Sequence, residues 1–183
     1  MSNALEKVKE LVNNGKYVFL VDTMNEIDGK DLVTNSINQD QVSIFRFATY
    51  EECKLFLFKV NQEVPPDRRP DMAIVINNIA TLISEKQKSI MDELRQIEAN
   101  PLSHNQGKLE IEATRNLHRE NLFLSRKKFR ELVFTVKEIQ NAGIEIHVVE
   151  GMEPPCPLEV YRLFGSMDEK KYNEEYQGFI PED

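Results

Sequence analysis

Tyr17-Val18-Phe19-Leu20-Val21, closed by Asp22, is apolar on every residue of the run. A strand with one wet face would alternate, so this run predicts a strand buried on both faces, as in a parallel sheet covered by helices. Met72-Ala73-Ile74-Val75-Ile76 repeats the pattern, and Val42 to Phe47 and Ile144 to Val149 supply two further strands. Between them the apolar spacing lengthens to helical periods. Leu5, Val8, Leu11 and Val12 predict a first helix stopped by Asn13-Asn14-Gly15, and Asp28 to Ile37 predicts a short second one. Glu51 to Val60 predicts a helix apolar nearly all round, which should be covered on both sides. Alternation of this kind predicts the α/β class, a parallel sheet flanked by helices.

Pro65 to Pro70 is proline-rich and predicts a rigid loop. Ile79, Leu82, Ile83, Ile90, Leu94 and Ile97 mark a long helix ended by Asn100-Pro101. Residues 101–118 are polar and mixed and predict a long mobile loop. Leu122, Phe129, Leu132, Val133, Val136 and Ile139 predict a second long helix over residues 119–141, with Gly143 placed for a left-handed cap. An edge strand is expected at Leu158 to Leu163. Residues 1–165 thus read as one domain, and residues 166–183, with six acids and two lysines, as an acidic tail.

A chain of 183 residues can bury a core of its own without disulfides or metal. Cys53 and Cys156 read as small buried hydrophobes in a reducing compartment. No stretch approaches the ~20 apolar residues of a membrane span, so no membrane partner is expected. The net charge of −8 argues against wrapping nucleic acid over the whole surface. It leaves room for a local basic patch, or for a site completed by a basic partner.

In parallel sheets ligands gather beyond the carboxyl ends of the strands. Those ends are Asp22-Thr23-Met24, Asn77-Asn78 and Glu150-Gly151. Phosphate chemistry there needs a Gly-rich loop followed by Lys and Ser or Thr. Gly-Lys occurs at residues 15–16, 29–30 and 107–108, but the next residues are Tyr17, Asp31 and Leu109, and no glycine lies five positions upstream. None is a P-loop. His104, His118 and His147 show no ligand spacing, so neither a metal nor a nucleotide cofactor is expected.

Phe19-Leu20-Val21-Asp22-Thr23 resembles the strand that follows the P-loop helix in eukaryotic RecA-type recombinases, with Met24 where the family carries a water-polarising glutamate. The strand at Val42 to Phe47, followed by a helix opening at Thr49-Tyr50-Glu51-Glu52, is similar to the family's next unit. The segment from Met72 to Leu82 is similar to its Walker B strand, with Asn77 in place of the metal-linked aspartate. Phe129 to Leu132 and Ala142 to Val149 are similar to the following helix and strand. The likeness covers roughly residues 5–151, by pattern and order more than by identity.

The resemblance implies a truncated RecA-like ATPase core that begins at the helix after the P-loop and cannot hydrolyse ATP. An amide at Asn77 cannot supply the charge that holds a magnesium-bound water. Among family members, the small ATPase-dead subunits of the Shu complex share this layout. The implied function is that of a nuclear, non-catalytic subunit, a pseudo-ATPase that forms a heterodimer with a RecA-like paralogue. It would assist recombinase filaments on DNA during homologous recombination repair. Two other readings stay open: a RecA-like subunit of an Elongator-type tRNA-modification assembly, and a metal-dependent enzyme on an unrelated α/β sheet using Asp22.

Asp22 reads as structural, because no second carboxylate accompanies it at a neighbouring strand end. Asn77 and Asn78 read as satisfying backbone groups at a strand-to-helix turn. The densest basic cluster is Arg119, Arg126, Lys127, Lys128 and Arg130, near the end of the region that faces DNA in recombinases. It is the candidate DNA contact, with a solvated or ion-paired helix face as the alternative. Lys170-Lys171 is a weaker candidate, surrounded by Asp168, Glu169, Glu174 and Glu175. Phe45-Arg46-Phe47-Ala48 matches the Phe-x-x-Ala hook of recombinase protomers but falls in a core strand, so it reads as coincidence. The helix from Glu51 to Val60 and the two long helices are the expected partner surfaces.

Overall fold

The computed structural model describes residues 3–79, 82–83 and 106–149. The rest of the helix expected up to residue 99, the edge strand at 158–163, the tail at 166–183, Lys170, Lys171 and Cys156 lie outside the described residues. Helix α1 (Asn3–Asn13) leads into strand β1 (Tyr17–Asp22), helix α2 (Gly29–Thr34), strand β2 (Val42–Phe45), helix α3 (Tyr50–Glu63) and strand β3 (Met72–Asn77). Helix α4 (Gln106–Asn141) and strand β4 (Glu145–Val149) follow. The four strands form one parallel sheet in the order β2-β1-β3-β4. This is the expected α/β class.

The two central strands explain their own composition. Val18, Leu20, Ala73 and Val75 face one way, onto Leu5, Val8 and Leu11 of α1 and Leu32 of α2. Val21, Ile74 and Ile76 face the other way, onto Cys53, Leu57 and Val60 of α3 and Phe129, Leu132, Val136 and Ile139 of α4. Both faces are covered, which is why neither strand alternates. The free Cys53 thiol is buried in the second layer, and burial pushes its pKa up to about 12.

Local chemistry sets the helix ends. Gly15 (φ +81°) and Gly143 (φ +91°) adopt the left-handed conformation. After α1, the amide of Lys16 donates to the Leu11 carbonyl at 3.0 Å and that of Gly15 to Val12 at 2.9 Å. After α4, Ile144 donates to Ile139 at 3.2 Å and Gly143 to Gln140 at 3.0 Å. This paired closure needs a residue without a Cβ penalty at positive φ. Reciprocal capping boxes open α2 (Asp28 with Asp31) and α3 (Thr49 with Glu52). Arg69 pins the proline-rich loop, donating to the carbonyls of Val64, Asn61 and Ala142 at 3.0, 2.9 and 3.2 Å.

Three expectations are corrected. The loop expected over 101–118 gives way to helix from Gln106, so α4 runs 36 residues, about 54 Å. Strand β2 ends at Phe45 rather than Phe47; the Arg46 side chain turns aside and donates to the Ile27 carbonyl at 2.7 Å. Helix α3 is covered on one face only: Tyr50, Cys53, Leu57 and Val60 are buried, while Leu55 and Phe58 are 54% and 53% exposed.

Candidate functional site

The strand order places a switch point between β1 and β3. The chain leaves β1 toward β2 through α2 on one face, and the helix leading from β3 to β4, α4, lies on the other. The connections diverge there, and the carboxyl ends of β1 and β3 frame the crevice where such sheets hold ligands. Asp22 and Asn77 are direct register partners at this point, and both are fully buried. Met24, two residues on, is 45% exposed at the rim. Two of the positions singled out from the sequence, Asp22 and Asn77, therefore meet, with Met24 in the turn that follows β1.

The crevice is closed by its own hydrogen bonds. Asp22 Oδ2 accepts from the Ile27 amide at 2.8 Å, and Oδ1 accepts a long bond, 3.5 Å, from Asn77 Nδ2. Thr23 Oγ1 lies 3.1 Å from the Asn77 carbonyl and 2.8 Å from that of Asn78, donating into the pair. The Asn78 amide donates to Val149 at 3.2 Å, tying β3 to β4. Asn25 and Asn78 take positive φ, 55° and 59°, which asparagine tolerates better than most residues. Asn77 Oδ1 is buried without a hydrogen-bond partner. Asp22 thus organises the turn after β1, as a structural residue would. Among the described residues no three His, Cys, Asp or Glu side chains lie together as a metal site would need.

The basic cluster divides. Lys128 is committed within the fold: its ammonium lies 2.9 Å from Glu51 Oε1 and 5.5 Å from the centre of the Tyr50 ring. That contact holds the Glu51 carboxyl below its ordinary range. The Tyr50 hydroxyl donates to the Lys128 carbonyl at 2.9 Å, and burial drives its pKa well above the usual tyrosine value. Lys54 pairs with Glu131 at 2.7 Å one turn further along. Lys128 is therefore half of a clasp between α3 and α4. Lys127 and Arg130 are exposed, although Arg130 also makes a contact within the chain. For Arg119 and Arg126 the structure places the backbone on α4.

Phe45 of the Phe-x-x-Ala match is used internally. Its ring lies 4.5 Å from Phe56 and 5.5 Å from Phe19, centre to centre, within an aromatic cluster that also takes in Phe47. The residues that sequence reasoning missed are Phe123 and Phe134, 68% and 64% exposed on α4. Their signal was present as the 4-3-4-3 spacing of Phe123, Lys127, Arg130, Phe134 and Lys137.

No protein-family profile matches the chain, and no curated protein matches it.

Proposed function

We propose that this chain is a non-catalytic, RecA-like subunit of a recombination mediator complex, pairing with a RecA-like paralogue in the nucleus and assisting recombinase filaments on DNA. The observation that carries the reading is the pairing of Asp22 with Asn77 at the switch point of the sheet, with Met24 in the turn that follows β1. The resemblance assigns the lost glutamate to Met24 and the lost metal-linked aspartate to Asn77. Those two groups must meet around a single phosphate in a working ATPase. Here the side chains at those positions are a thioether and an amide, and the carboxylate of Asp22 is engaged with Ile27. A crevice without charge to offer leaves the fold useful as a surface. The exposed Leu55 and Phe58 of α3 are suited to a paralogue interface.

Two measurements test the reading. Purification with native partners should recover a recombinase paralogue; ring-forming homologues of a tRNA-modification assembly would transfer the chain to that class. Isothermal titration should show no binding of Mg-ATP. A dissociation constant below about 10 µM, roughly 7 kcal/mol, would sink the non-catalytic reading.

A further inference from the structure

The geometry points to a single-stranded nucleic acid as the ligand of the outer stripe of α4, with Phe123 and Phe134 as stacking platforms and Lys127 and Lys137 as phosphate contacts. At 3.6 residues per turn, Phe123, Lys127, Arg130, Phe134 and Lys137 fall within an arc of about 80°. All five are exposed. Two rings standing more than three-fifths in water, alternating with cations, present stacking surface and positive charge together on one face of a chain of net charge −8. Among the described residues, acidic partners hold Lys7, Lys16, Lys54 and Lys128, but none holds Lys127 or Lys137. The stripe is thus positive on an acidic protein, and its complement is an anion.

The spacing selects the anion's form. Phe123 and Phe134 stand 11 residues apart, about 16 Å along the axis, with only cations between them on the stripe. A partner helix seeks apolar anchors at every third or fourth residue, a seam that this stripe lacks. Leu117 and Leu124 lie about a third of a turn away, outside it. A second copy paired two-fold would set Phe123 against Phe134, but would also bury the ammonium of Lys127, which no acid among the described residues holds. A duplex keeps its bases stacked and offers the rings nothing. An unpaired strand offers both chemistries, since bases stack on aromatic side chains while the backbone follows the cations. This inference rests on the nucleic-acid part of the function proposed above, but it concerns this face alone.

The test uses the full chain and fluorescence anisotropy at low salt, with labelled oligothymidylate and a duplex of equal length as probes. The single strand should bind more tightly. Phe123→Ala with Phe134→Ala should weaken single-strand binding by about thirtyfold or more, leaving the salt dependence unchanged. Phe123→Tyr with Phe134→Tyr should restore it. Lys127→Ala with Lys137→Ala should instead reduce the salt slope by about 1.4. Every replaced side chain is exposed, so a thermal melt unchanged from the parent confirms that folding is intact. Absence of oligothymidylate binding, a preference for duplex, or an unaffected double-Phe variant overturns the inference. So does a double-Phe variant that binds oligothymidylate normally but fails to assemble with its paralogue, which would assign the stripe to protein. If oligothymidylate binds as expected but no recombinase paralogue co-purifies, the inference stands and only the broader functional reading falls.

Discussion

Asn77→Asp places a carboxylate where the proposed reading expects the metal-linked aspartate of an ATPase, and it should damage the protein without conferring ATP hydrolysis. Asn77 is fully buried beside Asp22, with its Nδ2 3.5 Å from Asp22 Oδ1. The substitution puts two carboxyls at that separation in a place without solvent. They cannot both stay ionised, so the folded pair holds a proton that the unfolded chain releases above about pH 4. If the pair raises the affinity for that proton by about three units, the loss at neutral pH is about 4 kcal/mol. The lost Asn77–Asp22 bond adds little, because 3.5 Å is at the limit of a hydrogen bond. Against the ~5–15 kcal/mol that holds a domain together, this is a large share. For a chain of this size it corresponds to a fall in melting temperature of roughly 8–16 °C.

The sign with pH follows from the same proton. A carboxyl whose folded pKa is raised binds its proton more tightly in the native state, so the variant's deficit is smallest below about pH 4 and deepens as pH rises. Thermal melts at several pH values, with and without magnesium, read all of this. Asn77→Ala, which adds no charge, should cost on the order of 1–2 kcal/mol and show no such pH trend. The reasoning fails if Asn77→Asp melts like the parent at pH 7, if magnesium restores its midpoint, or if it turns over ATP. Any of these would mean that the crevice retains the geometry of a metal site.

Val136→Asp or Leu132→Asp should abolish cooperative unfolding, because each side chain is only 1% exposed beneath α4 and an unpaired carboxylate there costs several kcal/mol; near-ultraviolet circular dichroism and a thermal melt would show it. Tyr50→Phe removes the bond to the Lys128 carbonyl and should cost about 1 kcal/mol in denaturant titrations, with an unchanged m-value. In a Cys156→Ser background, Cys53 should resist a thiol reagent at pH 8 in the folded protein and react at once in denaturant, since burial keeps its pKa near 12. Rapid labelling of the native protein would mean that α3 opens freely.

The strands of the fold were legible because burial on both sides leaves a direct trace in composition. Tyr17 to Val21 and Met72 to Ile76 could be read as central strands, and they pair with each other along their whole length. The stops at Gly15 and Gly143 were legible because positive φ narrows the choice of residue. The single covered face of α3 is hidden in the sequence because Leu55, Phe56, Leu57 and Phe58 are consecutive, and a 3.6-residue period cannot turn four successive side chains inward. The first third of α4 reads as a loop for a related reason. No described side chain ahead of Phe129 on α4 is buried, so there was no core-facing periodicity to detect. The crevice positions were legible as strand ends. The commitment of Lys128 was not, because Tyr50 and Glu51 lie 78 and 77 residues away in sequence and only folding brings them to it.

The clasp between α3 and α4 has a role larger than its energy. Ion pairs as exposed as Lys128–Glu51 and Lys54–Glu131 stabilise a protein by about 1 kcal/mol at most. Burial of Phe129, Leu132, Val136 and Ile139 supplies far more, but that force is non-directional and tolerates some rotation of a helix about its axis. The clasp does not. The Tyr50 hydroxyl, the Glu51 carboxylate and Lys54 reach α4 at Lys128 and Glu131, along the flank that faces α3, and their distances hold for one rotation only. Turning α4 by a single residue, about 100°, would break all three contacts and carry the row from Phe123 to Lys137 round toward a side of the helix. Weak polar contacts therefore decide which residues α4 presents to solvent. Because α4 is about 54 Å long and its core-facing side chains, among those described, begin at Phe129, that decision also sets the rotation of the helix ahead of them. The helix places an aligned row of cations and rings on the outside, held in orientation by bonds that contribute little to stability.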